Sequence, residues 1–170
     1  MPEKETVERA HEDAQEGKSP STQAGEFVRE EIHHVREGKH GAQSTQQAIA
    51  IGLSKARRAG VKLRAPRKGK ASARTRQQAS RDYKKGQQRG RRKTSSRRSR
   101  AVRGALKREG RQAASRSSLS RQARSAARKR GSADRGRAAM KAVRTKGSRG
   151  RSQAAKKASR TRQMNLRSAA

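Results

Sequence analysis

Charge is divided very unevenly along this 170-residue chain, and that division constrains the fold more than any other feature. Residues 1–63 contain ten acidic and ten basic side chains and therefore carry no net charge. Residues 64–170 contain 38 basic side chains and three acidic ones, so the whole formal charge of +35 lies there. The sequence thus predicts two regions, a charge-balanced head at 1–63 and a basic tail at 64–170. The Ala65-Pro66 step supports this boundary because it disfavours helix.

The composition of the tail predicts that it does not fold by itself. Leu, Ile, Val and Phe provide 15 of the 170 residues, and highly charged chains with less than roughly 20% of these residues are usually disordered. Such a chain buries too little apolar surface to offset the entropy of ordering its backbone. Ala, Lys and Arg favour helix, but like charges four residues apart oppose it. We therefore expect a long disordered tail with transient helices that become more populated when a polyanion neutralises it.

The head shows the periodicity and the end signals of a small helical hairpin. Apolar residues at helical spacing predict one helix over about 22–37 and a second over about 44–59. Ser44 begins a capping box, and Gly38 matches the left-handed residue that ends many helices. A weak helix is expected over 3–16. The predicted fold class is therefore mostly α, with this N-terminal hairpin followed by a long disordered basic tail.

The hairpin is too small to be self-sufficient, which predicts a partner for its apolar stripes. About 37 residues fall below the size at which one core normally suffices. We therefore expect self-association or a protein partner at the apolar positions, or their packing within the hairpin. These positions are Phe27, Val28, Ile32, Val35, Ile49 and Leu53.

A DNA-reading helix-turn-helix is a weaker interpretation of the hairpin, with residues 45–59 in the major groove. The connection between the two helices is longer than usual for that motif, and the front half of the second helix is uncharged. A structural or partner-binding hairpin is therefore favoured.

The tail predicts a nucleic-acid binder that is indifferent to sequence. Arg outnumbers Lys 32 to 16, and its planar guanidinium grips phosphate oxygens in pairs without identifying a base. The aromatic residues are Phe27 and Tyr83, too few for the stacking platforms of single-strand binders. Duplex DNA is therefore favoured over RNA. The residues expected to contact phosphate are Arg91, Arg92, Lys93, Arg97, Arg98, Arg100, Arg124, Arg128, Lys129, Arg130, Lys141, Arg144, Lys146, Lys156, Lys157, Arg160 and Arg162.

A 16-residue repeat strengthens this interpretation of the tail. Residues 138–146 align with 154–162 and are identical at six of the nine positions, and a Gly-Ser pair precedes each copy, at 131–132 and 147–148. A weaker echo lies at 123–128. Sixteen residues are too few for the usual solenoid repeats, so the unit is interpreted as a repeated phosphate-binding segment.

The sequence gives little support to other classes of function. The chain has no Cys, which excludes disulfides, thiol catalysis and Cys-ligated zinc. His33 and His34 are adjacent and form no metal-binding motif, so a solvated helix face is favoured and we expect no metal, cofactor or small-molecule substrate. No nucleophile elbow or phosphate-binding loop is present, so no enzyme activity is expected. Since no apolar run approaches the ~20 residues of a membrane span, we expect a cytoplasmic protein that does not bind membranes.

Two segments of the head carry a family resemblance. They are STQAGEFVREEI at 21–32 and GAQSTQQAIAIGLSKARRAG at 41–60. Both resemble a family of short basic bacterial proteins of unknown function, in which such a head precedes a variable Arg/Lys-rich tail. The resemblance covers residues 1–63 and implies a bacterial cytoplasm, with no assigned activity.

The tail is similar in composition to bacterial histone-H1-like proteins, and this similarity implies DNA compaction. We therefore expect a nucleoid-associated protein that neutralises or compacts DNA without sequence preference. Two alternatives stay open. One is an RNA- or ribosome-associated basic protein, and the other is an adaptor whose helical head binds a protein partner.

Overall fold

The computed structural model describes residues 2–88 and 95–167, and within these ranges the chain folds into α-helices and one short 3-10 helix. The helices are α1 (Lys4–Gln15), α2 (Pro20–Glu37), α3 (Thr45–Arg58), α4 (Ala73–Gln87), α5 (Ser96–Arg108), the 3-10 helix (Gln112–Ala114), α6 (Arg116–Lys129) and α7 (Gly131–Arg167). The chain divides into two units, residues 1–122 and 123–170. The boundary predicted at 63/64 falls inside the first unit. None of the described helices combines the length and the apolar character that crossing a lipid bilayer requires.

The predicted combination of a small hairpin and a long disordered tail is wrong, because the tail is helical over most of its described length. Helices α4 to α7 all lie beyond residue 64. Their Ala, Arg, Lys and Gln residues have high helix propensity, and serine side chains cap two of the first turns. The Ser72 hydroxyl accepts from the Thr75 amide at 3.1 Å, and the Ser115 hydroxyl accepts from the Ser118 amide at 3.2 Å.

Helices α2 and α3 form the centre of the first unit through a close crossing. A Cβ atom at Gly52 would lie 2.7 Å from the Cα of Val28, so only glycine fits there. Gly38 ends α2 with φ of 77°, and Ser44 caps α3 through its side-chain oxygen. Pro20 occupies the first turn of α2, so this helix begins slightly before the predicted position.

The apolar side chains of the first unit form two clusters, each completed by small residues. The first contains Ile32, Val35, Ala42, Ala48, Ala113 and Ala114, beside the half-buried Val28 and Leu119. The second contains Ala10, Ala24, Phe27, Ala56 and Val61, beside the half-buried Val7, Leu53, Ala59 and Leu63. Ile49 is half-buried and belongs to neither cluster. The stripe predicted as a partner surface is therefore largely covered by this chain, including residues of the predicted tail.

Polar contacts at α2 hold α1 in place, which explains how a helix with few apolar residues stays packed. The Arg9 Nε donates to Glu26 Oε2 at 2.9 Å. The Glu3 carboxylate lies 2.8 Å from His34 Nε2 and 3.1 Å from Lys39 Nζ. Hydrogen bonds from His34 and then Lys39 lower the pKa of Glu3 to about 2.

Asp82 anchors α4 on α3. The residue is 1% exposed, and its carboxylate accepts from the Ser54 hydroxyl at 2.8 Å and from the Gln78 amide at 3.1 Å. Arg58 Nε lies 3.8 Å away. Burial lowers the pKa of the neighbouring Arg57 guanidinium, and the charge of Asp82 acts in the opposite direction. Helix α3 therefore packs against both α2 and α4.

Candidate nucleic-acid interface

The second unit offers its positive charge directly to solvent. Residues 123–170 contain 16 basic side chains and one acidic side chain, which gives a net charge of +15. Among those whose burial is described, none is buried. The basic side chains of the second unit whose burial is described are therefore accessible to a polyanion.

The 16-residue repeat of the sequence is also a repeat of backbone conformation. Gly131 and Gly147 both have positive φ, 72° and 62°, and each is followed by a serine and a helical segment. Gly131 follows the end of α6, and Gly147 interrupts α7 with a non-helical φ/ψ pair. Because glycine adopts positive φ at little cost, each glycine starts a new helical segment at the same place in its repeat.

Each helical segment of the second unit presents a basic face. Side chains three, four or seven residues apart share one side of a helix. The sets with this spacing are Arg124 and Arg128 in α6, Arg137, Lys141 and Arg144 before Gly147, and Arg149, Lys156 and Arg160 after it. Seven residues of helix rise ~10 Å, and a duplex presents one phosphate charge per ~1.7 Å of axis. A basic face of this length that lies along a duplex is therefore within reach of several phosphates.

Asp134 is the one acidic residue of this unit, and it pairs with Arg137 three residues later on α7. The other two members of that face, Lys141 and Arg144, are exposed. A single carboxylate therefore leaves the unit strongly cationic.

The predicted phosphate-binding residues fall into three groups. Arg91, Arg92 and Lys93 lie outside the described residues, as does the side chain of Lys146. In the first unit, α5 carries the exposed side chains Arg97, Arg98 and Arg100. In the second unit, the exposed side chains are those of Arg124, Arg128, Lys129, Arg130, Lys141, Arg144, Lys156, Lys157, Arg160 and Arg162.

The first unit also contains a cationic cavity that sequence reasoning missed. This cavity is a depression wide open to solvent, with a volume of about 580 Å³, and it is lined by Arg36, Arg111, Gln112, Ala114, Ser115 and Arg116. The Arg36 Nε donates to the Ala114 carbonyl at 2.9 Å, which fixes α2 against the 3-10 helix. Three guanidinium groups at the N-terminus of α6 favour an anion. A single sequence holds no signal that pairs Arg36 with arginines so distant along the chain.

The fold and these surfaces define an all-helical basic protein with exposed cationic helix faces. The chain matches no known protein-family model, no curated protein and no solved structure. Its function therefore has to be argued from its own geometry and charge.

Proposed function

We propose that the protein binds the phosphate backbone of duplex DNA without reading its sequence. One observation carries the proposal. The second unit holds 16 basic side chains against one acidic side chain, 15 of the 16 lie in helices, and none of those whose burial is described is buried. This charge is far greater than solubility requires. It produces the potential that draws a protein to nucleic acid at a rate near the diffusion limit.

Counterion release supplies most of the affinity. Each Lys or Arg that neutralises a phosphate frees a condensed cation, so binding weakens as salt rises. Arg is the commoner cation, and its paired contacts hold a phosphate more closely than the point charge of Lys. Because the faces lie on helices in the free protein, less conformational entropy is lost on binding than with a disordered tail.

The cationic cavity of the first unit provides a second place for a phosphate. Arg36, Arg111 and Arg116 line it together with Ser115. Its chemistry selects an anion and no base, in agreement with binding that is independent of sequence.

Duplex DNA is the favoured form of nucleic acid because the second unit contains no aromatic residue for stacking on bases. Phe27 is buried in the first unit, and Tyr83 on α4 is the other aromatic residue of the chain. Single-strand and RNA readers rely on aromatic platforms for stacking. Binding to the nucleoid of a bacterial cell, with compaction of its DNA, is the biological role that follows from this proposal.

A salt titration with matched charge variants tests the proposal. Arg128, Arg144 and Arg160 occupy the same position in successive 16-residue units, and replacing all three with Gln removes charge at little cost in helix propensity. We expect the slope of log Kobs against log salt to fall by about 2.7, at ~0.9 per lost phosphate contact. The measurement is fluorescence anisotropy with a random-sequence duplex.

The control variant also loses three positive charges, but at residues within or next to the predicted head at 1–63. Lys4, Lys62 and Arg64 are exposed, and replacing these three with Gln should change the slope by less than one. Equal effects of the two triple variants, or binding by the wild type that does not respond to salt, would contradict the proposal. A structured RNA that displaces the duplex at a much lower concentration would instead identify an RNA-binding protein.

A further inference from the structure

A group of side chains typical of metal sites lies in the first unit, where α2 ends and the turn to α3 begins. One carboxylate oxygen of Glu31 and one ring nitrogen from each of His34 and His40 lie within 4.8 Å of one another. Glu31 and His34 are three residues apart on α2, and His40 follows the end of that helix. The spacing of these residues along the chain does not indicate a metal site, because His40 reaches Glu31 only through the turn.

Glu31 is the unusual member of the group. It is fully buried, yet neither carboxylate oxygen accepts a hydrogen bond of good geometry from any described residue. Lys55 Nζ lies 2.6 Å from Oε2 and also 3.2 Å from Glu30, so it balances charge on that side. The other oxygen, Oε1, faces His40 Nε2 at 3.2 Å. Burying a carboxylate oxygen that accepts no hydrogen bond costs free energy. A cation bound to Oε1 would offset that cost.

The hydrogen bonds of the two histidines leave one nitrogen of each available. His40 Nδ1 lies 3.0 Å from the carbonyl oxygen of Gly41, which can only accept, so Nδ1 carries the hydrogen. In neutral His40 the lone pair is then on Nε2, the atom that faces Glu31. His34 Nε2 likewise donates to the Glu3 carboxylate at 2.8 Å, which leaves the lone pair on Nδ1, an atom 3.8 Å from Glu30 Oε1. Histidines that ligate metals are held in this way, with the second nitrogen donating to a carbonyl or a carboxylate.

The separation of the facing atoms fits a shared metal ion. Zinc binds histidine nitrogen and carboxylate oxygen at ~2.0–2.1 Å, so two ligands of a tetrahedral ion lie about 3.3 Å apart. Glu31 Oε1 and His40 Nε2 are 3.2 Å apart. Without a proton or a metal ion, this distance would place two lone pairs in contact.

We propose that Glu31, His34 and His40 bind a divalent transition-metal ion of the zinc class, with the remaining position taken by water. Two imidazoles and one carboxylate form a ligand set that zinc accepts. The ion would join the turn after α2 to the helix itself. That turn also holds the end of α5 and the chain just after it. The Gly41 amide donates to the Leu106 carbonyl at 2.8 Å, and the Ala42 amide donates to the Gly110 carbonyl at 3.0 Å.

The test is metal titration of the full-length protein after treatment with a chelator. We expect calorimetry to show one Zn²⁺ per chain with micromolar or tighter affinity, and Co²⁺ to give the visible absorption of a four-coordinate ion. His34→Gln and His40→Gln should each weaken binding at least tenfold. His33→Gln is the matched control, because it removes an exposed imidazole from the same helix and should leave the affinity unchanged.

A second measurement on the wild type remains decisive if the variants fold poorly. In a nitrogen-15 NMR spectrum of the imidazoles, Zn²⁺ should shift the ring signals of His34 and His40 and leave those of the exposed His11 and His33 in place. The proposal fails if no stoichiometric binding occurs, if His33→Gln loses as much affinity as His40→Gln, or if the signals of His11 and His33 are the ones that move. Failure to bind any metal would mean that a proton on His40 Nε2 occupies the position between the two atoms.

Discussion

Asp82 is a single carboxylate in a strongly basic stretch, and its burial gives it a structural role. It accepts hydrogen bonds from Ser54 on α3 and Gln78 on α4, and it lies near Arg58. Asp82→Ala leaves these polar groups without their buried partner, which costs about 1–3 kcal/mol. We expect urea denaturation followed by circular dichroism to show a loss of this size in the free energy of unfolding of the first unit.

Asp134 is the matched control for that prediction, because it is also an isolated acid among basic residues. Its side chain is 41% exposed and pairs with an arginine three residues away. Exposed pairs of this kind contribute only a few tenths of a kcal/mol, so Asp134→Ala should be close to neutral. Equal and small effects of the two substitutions would show that α4 is not held by Asp82.

At the scale of elements, the crossing of α2 and α3 depends on a missing side chain at Gly52. A Cβ there would lie 2.7 Å from Val28 Cα and 2.9 Å from the Phe27 carbonyl oxygen, and these backbone atoms cannot move without displacing α2. We expect Gly52→Ala to destabilise the first unit by about 1–3 kcal/mol. The measurement is the midpoint of thermal unfolding.

Gly25 on α2 provides the control, since an added Cβ there meets nothing within 4 Å. Gly25→Ala should stabilise the helix by about 0.5–1 kcal/mol through its propensity alone. The proposed crossing would be incorrect if both alanine substitutions raised the unfolding temperature.

The sequence could predict the elements whose signals are local. Helices α2 and α3 lie close to the predicted segments because large apolar residues recur at helical spacing and because Ser44 and Gly38 mark helix ends. The packing of the later chain could not be predicted from the scarcity of large apolar residues. Ala113 and Ala114 fill a core cluster instead, and their partners are far away in sequence.

The candidate nucleic-acid interface also has a part that the sequence predicts and a part that depends on the fold. The exposed cations of the second unit and their 16-residue spacing were visible in the sequence, and the positive φ of Gly131 and Gly147 adds a structural basis for that spacing. The cavity lined by Arg36, Arg111 and Arg116 could not be predicted from the sequence, because it is formed by segments that are distant along the chain and meet only in the folded structure.

At the scale of the whole molecule, both units are cationic. Residues 1–122 contain 32 basic and 12 acidic side chains and carry a net charge of +20, against +15 for residues 123–170. The neutral head of the sequence is thus only part of the first unit, whose basic remainder lies beyond residue 63. Each unit therefore carries enough positive charge to be attracted to a polyanion.

The helicity of the free protein decides between an ordered and a disordered basic region. The described α-helices contain 123 residues, of which 44 belong to α1, α2 and α3. We expect far-ultraviolet circular dichroism of the free protein to show a helix content close to 123 residues. The measurement is made at an ionic strength that screens repulsion between like charges. Adding duplex DNA should then change the protein signal at 222 nm very little, because the basic helices exist before binding. A free protein with the helicity of α1–α3 alone, rising steeply as DNA is added, would show that the phosphates induce the basic helices.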